Sequence, residues 1–270
     1  MSSSYTFASR VREKKLLIGV VHLKPLPGSP RHTGESLESI AAAARADAKE
    51  ILDAGFDGWI LENFGDVPFF KGPVPAHVLT FLTRIALELP RGEALTGINV
   101  LRNDAAGALA IAAATNLHMM RVNVHTGAMV TDQGLIEGDA ASTTRARRWL
   151  APDVAILADV DVKHASPLGV TFDIADAARE MAYRGLADAI VVTDKATGNP
   201  VNLTDIAQVK AAVSDRPILA GSGVTLDTVR EVLRRTDGVI VGSWIKRGGR
   251  VEERVDGPRA QEFAQEARRS

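Results

Sequence analysis

Eight short apolar runs recur along the chain: LLIGVVHL (16–23), DGWILEN (57–63), ALTGINVL (94–101), HMMRVNV (118–124), VAILADVDV (154–162), DAIVVT (188–193), PILAGS (217–222) and GVIVGS (238–243). Each has strand length. The first holds Val20 and Val21 and the sixth Ile190, Val191 and Val192, continuous runs that suit strands buried on both faces of a parallel sheet. Amphipathic stretches of helix length lie between them, at about 36–54, 76–89, 104–115, 142–150, 173–184, 204–213, 225–235 and 258–268. Asp104, Ser142, Asp173, Thr204 and Thr225 stand where N-caps are expected.

Strand and helix thus alternate eight times, which predicts an α/β fold: a single (β/α)8 TIM barrel over residues 16–270. A doubly wound open sheet is the competing arrangement, weakened because no GxGxxG follows the first strand. Residues 1–15, MSSSYTFASRVREKK, read as a flexible leader; they lack the apolar segment of a secretory signal. Three long loops, KPLPGSPRHTG (24–34), FFKGPVP (69–75) and HTGAMVTDQGLIEGDA (125–140), follow strands one, two and four. All fall on the barrel's C-terminal face, where barrel enzymes keep their chemistry.

Composition narrows the field. The chain has 270 residues, 46% hydrophobic and 24% charged, enough for a large core. A net charge of −1 gives no general attraction to nucleic acid or anionic membrane. The longest uncharged stretch, Ala105–Met120, is too short and too polar to be a transmembrane segment. Absence of cysteine excludes disulfides, thiolate zinc sites and cysteine nucleophiles, and fits a reducing, cytoplasmic setting. A homo-oligomer is the expectation for a barrel of this kind.

The last two strands end on glycine and serine. Gly221, Ser222 and Gly223 follow the seventh, and Gly242 and Ser243 the eighth. Barrels commonly hold phosphate at these two loops with the N-terminus of a short extra helix, here expected over Trp244–Arg247. Missing Cβ atoms let an anion approach backbone N–H groups. The bland alternative is that these glycines only make tight turns. Lys246 and Arg247 stand close by, as cations expected to be solvated.

Alternation along the strands gathers polar residues at the same end. Arg121, Asn123 and His125 share one face of strand four; Asp159, Asp161 and Lys163 share one face of strand five. Glu62 ends strand two and Asn99 lies near the end of strand three. Pointing inward, Glu62, Asn99, Arg121, Asn123, Asp159 and Lys163 would form a candidate catalytic cluster, with Glu62 or Asp159 as general acid or base. Structural ion pairs such as Glu62–Arg121 and Asp159–Lys163 are the alternative. Lys163 is also a candidate Schiff-base lysine. His22 and His164 read as facing the other way. No cofactor is predicted. A divalent metal would have to draw on Glu62, Asp159, His22 or His125, which show no ligand spacing such as HExxH. Asp132, Glu137 and Asp139, set among Gly127, Gly134 and Gly138, make the third long loop either a lid that delivers an acid or a solvated surface loop.

Several stretches carry a family resemblance: IGVVHLKPLPGSPRH (18–32), TGINVLRNDAAGALAIAAA (96–114), RVNVHTGAMVTDQGLIEG (121–138), ILADVDVKHASPLG (156–169), ATGNPVNL (196–203), GSGVT (221–225) and DGVIVGSWIKRGGRVEERVD (237–256). Together they resemble the BtpA/SgcQ family over about residues 14–268. The resemblance implies a phosphate-binding TIM barrel. It implies two kinds of function: assembly or maintenance of photosystem I, after which the family is named, and sugar or nucleoside metabolism, including a nucleosidase activity. One departure stands out. TDKATG (193–198) carries Asp194 and Lys195 where the family pattern has small neutral residues, so if loop six touches substrate, a different substrate from that of other members is expected. The residues and the resemblance together favour an enzyme acting on a phosphorylated small molecule, a sugar phosphate or nucleoside derivative, through glycosidic cleavage or isomerase or lyase chemistry. A non-catalytic assembly factor for a photosystem I-type complex is the alternative.

Overall fold

In the computed structural model, residues 6–162, 165–169, 172–193 and 201–269 are described. The predicted barrel is present and closed. Its strands are β1 (Leu16–His22), β2 (Gly58–Glu62), β3 (Leu95–Asn99), β4 (Met119–Val122), β7 (Ala155–Asp159), β9 (Ala189–Val192), β10 (Ile218–Ala220) and β11 (Gly238–Val241), hydrogen-bonded in that order with β11 returning to β1. All the barrel pairings are parallel, and the register sets His22, Glu62 and Asn99 side by side at the C-terminal rim.

Helices α2 (Leu37–Asp53), α3 (Ala76–Glu88), α4 (Ala105–Thr115), α5 (Ala140–Leu150), α6 (Ile174–Arg179, continued by a π turn over Glu180–Arg184), α7 (Leu203–Ala212), α8 (Val229–Arg235) and α9 (Gly257–Ala267) surround the barrel. Asp104 caps α4 and Asp173 caps α6 as expected. At α5 and α7 the caps are Asp139 and Asn202, not Ser142 and Thr204, and Thr225 is no cap at all, because α8 starts after Thr228.

The barrel interior is filled by Leu16, Ile18, Val20, Ile60, Met119 and Ile240 with their neighbours. Phe7, 2% exposed, packs into this same cluster from below. Within the leader expected over residues 1–15, Phe7–Glu13 form helix α1, which corrects that expectation for those residues. Thr6 caps it by accepting from the Ser9 backbone, and Ser9 answers through the Thr6 backbone. Phe7 and Val11, one turn apart, share the face that meets the barrel.

The loop after β4 also has structure. β5 (Ala128–Thr131) and β6 (Gly134–Glu137) form an antiparallel hairpin, and β8 (Ala165–Pro167) adds a third strand. Met129 and Ile136 bury one face of it against Val124 and Val162, so the segment is a small packed sheet and not a solvated loop.

Four equivalent latches close the barrel's base. Asp57, His118, Asp188 and Asp237 each occupy the position just before a strand, namely β2, β4, β9 and β11. Each accepts a backbone N–H from the preceding barrel strand: Leu17 at 2.8 Å, Thr96 at 3.1 Å, Ile156 at 2.8 Å and Ile218 at 2.9 Å. These are every second strand of the ring, so one device satisfies the same kind of edge amide four times.

Candidate active site

A cavity of about 440 Å³ opens at the C-terminal mouth. Glu62, Asn99, Arg121, Asn123, Asp159, Gly221, Ser222, Gly223, Gly242 and Ser243 all line it. Lys163, His164, Asp194 and Lys195 lie outside the described residues.

Two linked clusters occupy its floor. Arg121 grips Asp159 with both arms of its guanidinium, Nε to Oδ1 at 2.9 Å and Nη2 to Oδ2 at 3.0 Å. Asn123 Nδ2 adds a third donor to Asp159 Oδ2 at 2.8 Å. Burial alone would lower the Arg121 pKa, but the charge and hydrogen bonds of Asp159, helped by Glu62, hold it above the ordinary guanidinium value. The ion pair is thus a buried, bidentate element of the cleft floor. Beside it, Asn99 Nδ2 donates to Glu62 Oε2 at 2.8 Å. Arg121 thus pairs with Asp159, not Glu62. Asn123 Oδ1 is buried and accepts no hydrogen bond among the described residues.

His22 belongs to this group, contrary to the sequence expectation. It sits on the inward face with Leu16, Ile18 and Val20, and its Nε2 lies 3.6 Å from Glu62 Oε1. In a strand buried on both sides, both parities are apolar, so alternation does not tell which face is inward. Asp161 departs from the cluster: it is buried beyond the end of β7, and its backbone carbonyl accepts from Thr193 Oγ1. His125 also departs. Its Nε2 donates to the Gly185 carbonyl at 2.8 Å, well away from Glu62 and Asp159, and burial lowers its pKa. Among the described residues no group of three or more His, Asp or Glu side chains is placed to hold a metal ion.

The glycine corners are shaped first by the protein's own side chains. A Cβ at Gly221 would meet Val191 Cγ1 at 2.4 Å and Arg121 Nη2 at 3.2 Å. A Cβ at Gly242 would meet His22 Cε1 at 2.7 Å. The gap at Gly221 is filled by Val191, Thr193 and the tip of Arg121, and the gap at Gly242 by the His22 ring. Gly223, at φ +70°, supplies the left-handed turn after β10. The backbone N–H groups of Gly223 and Ser243 donate to no acceptor among the described residues.

The short helix expected over Trp244–Arg247 does not form. A turn from Ser243 to Lys246 is followed by a 3-10 turn over Arg247–Gly249, interrupted at Gly248 with φ +62°. Lys246 is not solvated either. It is 1% exposed, and its Nζ donates to the Glu253 carbonyl at 3.1 Å. The cause is a fold-back of the chain. Lys246 bridges to Val255, and Asp47 on α2 pins the return by accepting from Arg254 Nε at 2.7 Å and the Val255 amide at 3.0 Å.

The cleft also takes in residues that strand alternation does not point to; of these, the sequence marks Asp132 as an acid on the third long loop. Arg102, 9% exposed, and Asp132, at the tip of the β5–β6 hairpin, reach the cavity from loops three and four. Burial lowers the Arg102 pKa, against the pull of Asp159, Glu62 and Asp132. Phe64, Phe69, Leu101 and Trp244 add apolar wall. Apart from Leu101, which ends the third apolar run, these residues lie on loops beyond the strand ends, where alternation carries no information.

Fold and site define a (β/α)8-barrel protein with a charged cleft at its C-terminal mouth. Within that class the chain belongs to the BtpA family, whose sequence profile matches residues 13–269. It is 46% identical over 248 residues to the photosystem I biogenesis protein BtpA of Synechocystis sp., covering 92% of this chain and 86% of that one. It is 45% identical over 266 residues to an uncharacterized protein of Thermococcus kodakarensis, covering 96% and 98%. Among solved structures, (S)-3-O-geranylgeranylglyceryl phosphate synthase from Thermoplasma acidophilum, in complex with sn-glycerol-1-phosphate, superposes with a TM-score of 0.59 at 12% identity, covering 97% and 96%. N-(5'-phosphoribosyl)anthranilate isomerase from Pyrococcus furiosus gives 0.57 at 11%, covering 94% and 99%. At such identities these structures share the fold. No helix among the described residues is long and apolar enough to cross a membrane.

Proposed function

We propose that this protein is an enzyme acting on a phosphorylated small molecule, a sugar phosphate or nucleoside derivative, by proton transfer at the cleft floor. One observation carries the reading: the Glu62–Asn99 pair and the Arg121–Asp159–Asn123 cluster line the same cavity as the corners at Gly221–Gly223 and Gly242–Ser243. The amides of Gly223 and Ser243 suit an oxyanion. The same-fold synthase bound to sn-glycerol-1-phosphate and the phosphoribosyl anthranilate isomerase support a phosphorylated ligand.

The geometry divides the roles of the two carboxylates. Asp159 already accepts three hydrogen bonds from cationic or amide donors, so it acts as a fixed negative charge facing the reacting part. Glu62, with His22 near Oε1, is the proton carrier of glycosidic cleavage, isomerisation or lysis. Asn123 Oδ1 is the acceptor for a ligand hydroxyl.

A thermal-shift panel of sugar phosphates and nucleotides tests the binding half. A ligand at about 100 times its Kd adds about 2.7 kcal/mol of stability. Ser243→Asp should weaken that ligand more than tenfold. Glu62→Gln should keep the shift and lower turnover by at least about a hundredfold. A protein that answers to no phosphorylated compound would sink the enzyme reading. It would favour instead an assembly role, the one named for the Synechocystis relative.

A further inference from the structure

The connection from β11 to α9 runs over residues 242–256, far beyond the roughly two to six residues usual between a strand and its helix. Gly242, Ser243 and Trp244, at its start, line the cleft. The chain then leaves, turns through Gly248 and Gly249, both at positive φ, and returns to α9. Gly249 and Val251 meet the cleft a second time on the way. The connection is therefore a strap with two arms, and the first arm carries one of the two glycine corners.

Charge fixes the strap to the outside of the barrel. The Arg247 amide donates to the Arg254 carbonyl at 3.0 Å and the Asp256 amide to the Ile245 carbonyl at 2.9 Å, so the arms run side by side. Lys246, buried in the first arm, donates from Nζ to the Glu253 carbonyl of the second at 3.1 Å. Asp47 stands on α2 and is 3% exposed. Its Oδ1 accepts both Arg254 Nε at 2.7 Å and the Val255 amide at 3.0 Å. Burial lowers the Lys246 pKa, and the Asp47 charge opposes that. Two side chains of opposite charge are thus buried beneath a surface strap. Such pairs add little stability beyond what apolar residues of the same volume supply. What they impose is one register, because a shifted strap would leave a charge buried and unpaired.

The register reaches the cleft through a short series of contacts. Asp47 holds the Val255 amide, Val255 bridges to Lys246, and the Lys246 amide donates to the Ser243 carbonyl at 3.1 Å. Arg259 on α9 braces the neighbouring Trp244 through its carbonyl at 3.0 Å and its ring face at 4.4 Å. Asp47 itself does not line the cleft. Resting on the proposed phosphate reading of the glycine corners, we infer that Asp47 is a positioning residue for the ligand's phosphate: from α2 it fixes the strap, and through Lys246 it sets where the Ser243 amide points.

Calorimetric titration of the full chain with inorganic phosphate, sn-glycerol-1-phosphate and ribose 5-phosphate tests this role. Asp47→Ala should weaken all three by about tenfold or more, and by the same factor, because only the phosphate end is displaced. Asp47→Asn, which keeps the acceptor oxygen without the charge, should recover part of that loss. Arg254→Ala removes the ion pair from the strap's side and serves if Asp47→Ala does not fold; it too should weaken all three. Asp188→Ala breaks a carboxylate latch at the opposite end of the barrel, so it should lower the melting temperature and leave the three affinities unchanged. Unchanged binding in Asp47→Ala, a loss confined to ribose 5-phosphate, no recovery in Asp47→Asn, or an equal loss in Asp188→Ala overturns the role of Asp47 and leaves the phosphate reading standing. A parent chain that binds none of the three overturns the phosphate reading itself.

Discussion

At the scale of single residues, the site is built on what two glycines leave out. At position 221 the missing side chain leaves room for Val191, Thr193 and the tip of Arg121. Gly221→Ala should force a methyl against Val191 and the Arg121 guanidinium, with an overpacking cost of about 1–3 kcal/mol. Urea denaturation gives the number, and a variant as stable as the parent would mean the neighbours yield freely. The polar ends of the strands were legible in sequence: Glu62, Asn99, Arg121, Asn123 and Asp159 do meet in one cleft. Their pairing was not legible, since alternation gives a side chain's direction but not its partner. Lys246 shows the same limit. A cation before RGG reads as solvated, and only the fold-back pinned by Asp47 buries it.

At the scale of elements, the barrel strands and their helices could be read from the sequence because the apolar period and the strand–helix alternation agreed, although only two of the five expected caps did. The small pieces could not. Helix α1 is seven residues long, and its apolar face consists of Phe7 and Val11. Phe7→Ala should cost about 3–5 kcal/mol, as for other buried phenylalanines, because the plug leaves a void at the barrel's base. Thermal melts of that variant, beside an Arg12→Ala control, test whether the helix is structural. The basal latches were written in the sequence as a residue pattern, an acid or histidine directly before a strand, but they needed the register to acquire meaning. Three are aspartates and one is His118, whose Nδ1 accepts the Thr96 amide. Burial, and then the Arg91 charge, lower its pKa below the ordinary 6.5. The unfolded chain therefore takes up the proton first. The stabilisation is complete above pH 6.5 and is lost progressively as pH falls through the window below it. Buried His125 adds in the same direction. His118→Asp should keep the latch and flatten the acid side of the stability–pH profile. An unchanged slope would remove His118 from the account.

At the scale of the whole molecule, closure depends on contacts between distant parts of the chain. Arg268, after α9, donates to the Lys15 carbonyl at 2.9 Å and to Asp57 Oδ2 at 2.7 Å, tying the last helix to the first strand's entry. Lys14 meets the same carboxylate at 2.5 Å. Because the Arg268 side chain is more than a third exposed, Arg268→Ala should cost only about 1 kcal/mol. Its distinctive mark should be faster amide exchange in β1 and β2 together, where the shared carboxylate acts. The contact between Gly242 and the His22 imidazole reaches further. An imidazole at 22 and a side chain at 242 compete for one space, so a change at either position is felt at the other. A descendant that exchanges the ring for a smaller group is released to grow a side chain at 242. One that keeps the ring must keep the gap.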